Sequence, residues 1–106
     1  MIVLVESHLN LFLIMSGIIA ESKRREFEQT FRLASSTISR DCLLHKLATD
    51  VNRVGYYHFF SLWPDDSAMK KFIESEEFIL LNGAFHALGS MDQAWTGNVS
   101  DTKKLP

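Results

Sequence analysis

The apolar positions of this chain fall into two periods. From Leu9 to Ala20, residues Leu9, Leu11, Leu13 and Met15 alternate with Phe12, Ile14, Ser16 and Ile18, so a strand here is apolar on both faces. Whether Ile2 to Val5 extend that strand or form a separate arm stays open. From Glu21 to Ser39 the period becomes helical. Phe27, Phe31, Ala34 and Ile38 make a narrow stripe, and Arg24, Arg25, Glu28, Gln29, Arg32 and Ser36 make the wet face. Cys42 to Thr49 reads as a second strand. The turn DVNRVG, residues 50–55, offers Asp, Asn and Gly for unusual backbone angles. The stretch YYHFFSLW, Tyr56 to Trp63, then returns as the other half of a hairpin.

Pro64 breaks that strand, and Asp65 or Asp66 can cap a short helix carrying Ala68, Met69, Phe72 and Ile73. Ser75 can cap another, with Glu76 and Glu77 at its positive end. That helix runs to about Leu88, with Gly89 as a natural stop. Its stripe is Phe78, Leu81, Phe85 and Leu88, but Ile79, Leu80, Ala84 and Ala87 make it apolar nearly all round, which predicts burial on most sides. Met91 to Val99 is a last, weaker strand.

The order β-α-β-β-α-β, with its second helix broken in two, predicts an α+β, ferredoxin-like fold with a four-stranded antiparallel sheet. Residues 1–100 form a single domain in this reading, and 101–106 a loose tail. Helices can cover only one face of such a sheet. The other face carries Phe, Tyr and Ile, and leaving it wet would expose more apolar surface than soluble monomers usually carry. The simplest cover is a second copy of the chain, so the pattern predicts a homodimer packed sheet against sheet.

Composition removes several function classes. The net charge is −2, and the longest basic run, Lys23-Arg24-Arg25, sits among Glu21, Glu26 and Glu28. That is a solvated helix face and no nucleic-acid footprint. The one cysteine, Cys42, excludes an internal disulfide and paired-cysteine metal sites. Glu6, Ser7, His8 and Asn10 interrupt the greasy N-terminus, so no membrane span is expected, and no basic residue precedes it as a signal peptide requires. The expected compartment is the cytoplasm. The four histidines show no ligand spacing and no carboxylate cluster, so no metal is expected.

Four stretches carry a family resemblance: EFEQTF (Glu26 to Phe31), DCLLHKLATD (Asp41 to Asp50), the strand ending in Trp63, and SEEFILLNGAFHALG (Ser75 to Gly89). Over residues 11–99 the chain resembles the antibiotic biosynthesis monooxygenase (ABM) family of dimeric α/β barrels. The resemblance implies a homodimer and an oxygenase that turns over a small aromatic phenol, quinol or anthrone-like compound with O2 and no bound cofactor. It places Trp63 in the substrate pocket. Where the heme-degrading branch has a helical histidine, this chain reads Phe72-Ile73-Glu74, which removes the iron ligand. Ser61 stands where a glutamate often precedes the tryptophan.

Such chemistry needs a base, aromatic walls and a dry cavity. His86, His45 and His58 are the candidate bases or proton relays. Trp63, Tyr57, Phe59, Asn82 and Phe85 are the candidate pocket residues. His45 alternates with Leu43 and Leu47 and so points into apolar surroundings, while Asn82 and His86 are one turn apart on the last helix. The other reading is a non-catalytic dimeric binding or structural module with its interior filled by side chains. A cavity of roughly 300 Å³ beside Trp63 separates the two.

Overall fold

The computed structural model describes residues 10–99. The arm at Ile2 to Val5, His8 and the tail at 101–106 lie outside the described residues. The elements are β1 (Leu11–Ile19), a 3-10 turn (Glu21–Lys23), α1 (Arg24–Ser35), β2 (Leu44–Thr49), β3 (Tyr56–Trp63), α2 (Asp66–Ile73), α3 (Glu76–Leu88) and β4 (Gly89–Asn98). The strands form one antiparallel sheet in the order β2-β3-β1-β4. This is the ferredoxin-like α+β arrangement.

The helix expected from Glu21 to Ser39 is shorter, and its end has a local cause. The Thr37 hydroxyl donates to the Glu77 carboxylate on α3 at 2.7 Å, while those of Ser35 and Ser36 donate back to the carbonyls of Arg32 and Leu33. The two serines compete for the acceptors that another turn would use. Both later caps form as expected: Asp65 accepts from the Ala68 N–H at 2.8 Å, and Ser75 accepts from the Phe78 N–H at 3.2 Å. Gly89 does not stop α3 in a left-handed conformation; its backbone is extended and begins β4. The left-handed glycine is Gly55, with φ of 79°, in the β2–β3 turn. There the Asp50 carboxylate accepts the Asn52 and Arg53 N–H groups, and the Arg24 guanidinium fills the space a Cβ would need.

The helices cover one sheet face. Leu13, Met15, Phe59 and Trp63 meet Phe27, Phe72, Leu81 and Phe85 there, all buried. The other face carries Phe12, Ile14, Phe60 and Leu62, with Phe12 stacked 6.3 Å from Phe60 and edge-on to Trp95 at 5.0 Å. Trp95 is 47 % exposed.

Two expectations change. The open face is not apolar throughout, because its end nearest the β2–β3 turn is polar. There Ser16, His58 and Asp50 form a hydrogen-bonded row, and the Tyr56 hydroxyl donates to the Asp92 carboxylate. Asp92 is the extra residue of a β-bulge, since Ser16 faces Gln93 while Gly17 faces Met91. Nor is α3 buried on most sides. Leu81, Ala84 and Phe85 face the core, but Ile79 is 65 % and Leu80 40 % exposed. The sheet and α1 already enclose the inward stripe, and no described element lies over the outer one.

Candidate functional site

The expected site residues lie in different parts of the molecule. Trp63 is fully buried, its indole N–H donating to Ser61 Oγ at 2.9 Å and its ring stacked 4.8 Å from Phe72. Phe59 and Phe85 are equally buried. None of these three lines the clefts described below. The space expected beside Trp63 is taken by side chains of α2 and the sheet.

The three described histidines, His45, His58 and His86, do not converge. His86 is exposed on α3, its Nδ1 donating to the Asn82 carbonyl at 2.9 Å in the preceding turn. His45 pairs with Ser61 on the helix-covered face, whereas His58 pairs with Ser16 on the open face. The buried Nδ1 of His45 has no partner among the described residues. An imidazole with its proton on Nε2 leaves only an acceptor unmet there, which costs less than a stranded donor. Among the described residues, no three His, Cys, Asp or Glu side chains are gathered to hold a metal. Cys42 is free and half-buried, and burial pushes its thiol above the usual range, which weakens it as a nucleophile. No helix of the described residues is long and apolar enough to cross a membrane.

Of the expected pocket residues, Tyr57 does border open space. A cleft of about 340 Å³ lies between α1 and the β2–β3 strands, lined by Glu28, Phe31, Arg32, Leu47, Thr49 and Tyr57. The register explains the gathering. Thr49 faces Tyr57 and Leu47 faces Phe59, so these side chains share the helix side. Phe27 packs its ring 4.9 Å from Tyr57, holding α1 against β3. Glu28, the next residue, is thereby brought over the phenol.

The Tyr57 hydroxyl donates to Glu28 Oε2 at 2.5 Å. Burial, then this bond, pushes the phenol's pKa to about 12, so Tyr57 stays protonated and remains a donor. The cleft thus sets a carboxylate that accepts a hydrogen bond beside the apolar side chains of Phe31 and Leu47. Glu28 was hidden in the sequence as one of several charges on a solvated helix face. Its one available signal was its place beside Phe27, the start of the buried stripe.

A second space, of about 490 Å³, opens on the outer side between α1 and α3. Ile79, Leu80, Gly83 and Ala87 line it, with Glu26 and Glu76.

The fold is that of the ABM structures. SnoaB from Streptomyces nogalater, a cofactor-independent oxygenase, superposes with a TM-score of 0.69 at 18 % identity, over 92 % of this chain and 97 % of its own. Another structure, an antibiotic biosynthesis monooxygenase, gives a TM-score of 0.67 at 19 % identity, over 91 % and 99 %. A conserved protein from Methanosarcina mazei gives 0.73 at 11 % identity, over 91 % and 96 %. At these identities the likeness is one of fold. No protein-family model and no curated protein matches the sequence.

Proposed function

We propose that the chain is a cofactor-independent oxygenase for a small aromatic phenol, quinol or anthrone-like compound, acting in the Glu28–Tyr57 cleft. The observation that supports it is the hydrogen bond from Tyr57 to Glu28 at the cleft wall. A substrate O–H or acidic C–H that reaches the carboxylate oxygen not engaged by the phenol meets a group able to accept its proton. For an anthrone, the methylene proton goes to Glu28. The carbanion passes one electron to O2, and the radical pair closes a C–O bond. Glu28 returns the proton to give a hydroperoxide, and loss of water leaves the ketone. One oxygen atom enters the product and the other leaves as water. Tyr57 orients Glu28, and Phe31 and Leu47 supply the apolar contacts for the ring.

The proposal includes a homodimer with the Phe12, Ile14 and Phe60 faces buried against each other. It places the protein in the cytoplasm, a reducing compartment suited to the free Cys42.

Oxygen uptake by metal-stripped protein with a panel of anthrones and hydroquinones tests the activity. Uptake above the spontaneous rate is expected, lost in Glu28→Gln, reduced in Tyr57→Phe and unchanged in His86→Ala. No uptake above background across the panel sinks the proposal. One observation favours the second reading, a non-catalytic module: the region around Trp63 is filled, Trp63 resting on Phe72. Aromatic ligands that bind without any oxygen consumption would establish it.

A further inference from the structure

We infer that the cleft selects hydroxyaromatic ligands bearing a carboxylate, and that Arg32 is the residue that holds it. The inference rests on the proposed use of this cleft and narrows its ligand class. Glu28 and Arg32 are four residues apart on α1, a spacing that ordinarily lets the two side chains pair across one turn. Here the carboxylate is engaged by the Tyr57 phenol at 2.5 Å. Among the described residues, Arg32 makes no ion pair and no side-chain hydrogen bond. Two other arginines contrast with it. Arg24 donates from Nε to the Ile19 carbonyl at 3.3 Å, and Arg53 lies 3.6 Å from the centre of the Tyr56 ring.

A guanidinium stays charged at any working pH and presents a fork that fits a carboxylate with two bonds. Arg32 is an exposed residue lining the same cleft as Phe31 and Leu47. One helical turn separates Glu28 from Arg32, about 5–6 Å, which suits one aromatic ring between its two substituents. Charge sets the orientation. Glu28 accepts the ligand's hydroxyl and repels its carboxylate, so the carboxylate turns towards Arg32.

The test is calorimetric binding of two probes that differ only in the acid group, hydroquinone and 2,5-dihydroxybenzoate. The acid is expected to bind about tenfold tighter, a preference that shrinks as salt is raised. Arg32→Gln is expected to erase the preference while keeping hydroquinone binding, and Arg32→Lys to restore part of it. Arg32 is exposed, so these variants leave the core intact. Equal binding of both probes, or a preference that survives Arg32→Gln, overturns the inference. If hydroquinone binding is lost in Glu28→Gln yet no acid preference exists, the cleft stands and Arg32 has no such role. If neither probe binds, this inference falls, and oxygen uptake with anthrones decides the functional proposal separately.

Discussion

Nδ1 of His58 lies 2.8 Å from Oγ of Ser16, directly across the β1–β3 ladder, and Nε2 of the same ring lies 3.1 Å from Asp50. Three strands' ends are tied in one row on the open sheet face. The order of groups invites comparison with a nucleophilic triad, but Ser16 is only 2 % exposed, and no substrate carbonyl can reach it. The row is a structural tie. Ser16→Ala is expected to destabilise by about 1 kcal/mol, the net worth of one hydrogen bond, read as a shift in urea midpoint.

The Asp50 carboxyl is held below its ordinary value, first by the Asn52 N–H and then by His58. Its folded pKa is depressed, so its stabilisation is present above the unfolded value, near 3.8, and is lost as pH falls through the folded one. Asp50→Asn and the parent should therefore differ at neutral pH and converge in acid. Urea titrations between about pH 7 and pH 2 check this. A constant gap between the two proteins across that range would refute it.

Tyr57 gives the opposite window. Its folded pKa is raised from 10 to about 12, so its contribution is complete below pH 10 and is lost as pH climbs through 12. Spectroscopic titration of phenolate should show both tyrosines ionising above the ordinary range, since Tyr56 is raised too by its bond to Asp92. Tyr57→Phe should remove the higher step. Glu28→Gln should lower Tyr57 only in part, because burial is the larger cause.

Two glycines should respond with opposite signs to the same substitution. A Cβ on Gly89 would meet the Ile18 carbonyl oxygen at 2.0 Å, a backbone atom that cannot step aside. Gly89→Ala should cost more than about 2 kcal/mol. A Cβ on Gly83, inside α3, meets nothing within 4 Å. Gly83→Ala should stabilise by about 0.5–1 kcal/mol through helix propensity alone. Thermal unfolding of both variants reads the difference.

The open face carries the assembly prediction. Phe60 pairs with Ile14 and packs on Phe12 beside half-exposed Trp95. Sedimentation equilibrium should show a dimer for the parent and a monomer for Phe60→Glu, with α-helical content unchanged. A parent that stays monomeric at high concentration removes sheet-against-sheet assembly.

Periodicity along the chain determined the element order by itself. The alternation in Phe12 to Ile18 and in Tyr56 to Trp63, the caps at Asp65 and Ser75, and the turn glycine all act within a few residues. Such local terms are written in the sequence. The end of α1 comes earlier than the periodicity predicts because the Ser35 and Ser36 hydroxyls carry no period, only a pull on the helix's own acceptors. The partners of side chains that are far apart in the chain were decided by tertiary structure alone. Glu28 meets Tyr57 across 29 residues because Phe27 seats α1 on β3, and Ser16 meets His58 across 42 because the ladder sets their register. Trp63 was expected in a pocket, but packing density filled its surroundings with Phe72 and left the open space beside Tyr57. Whether a buried aromatic borders a cavity depends on how volumes from distant segments sum in space, and no local pattern records that sum.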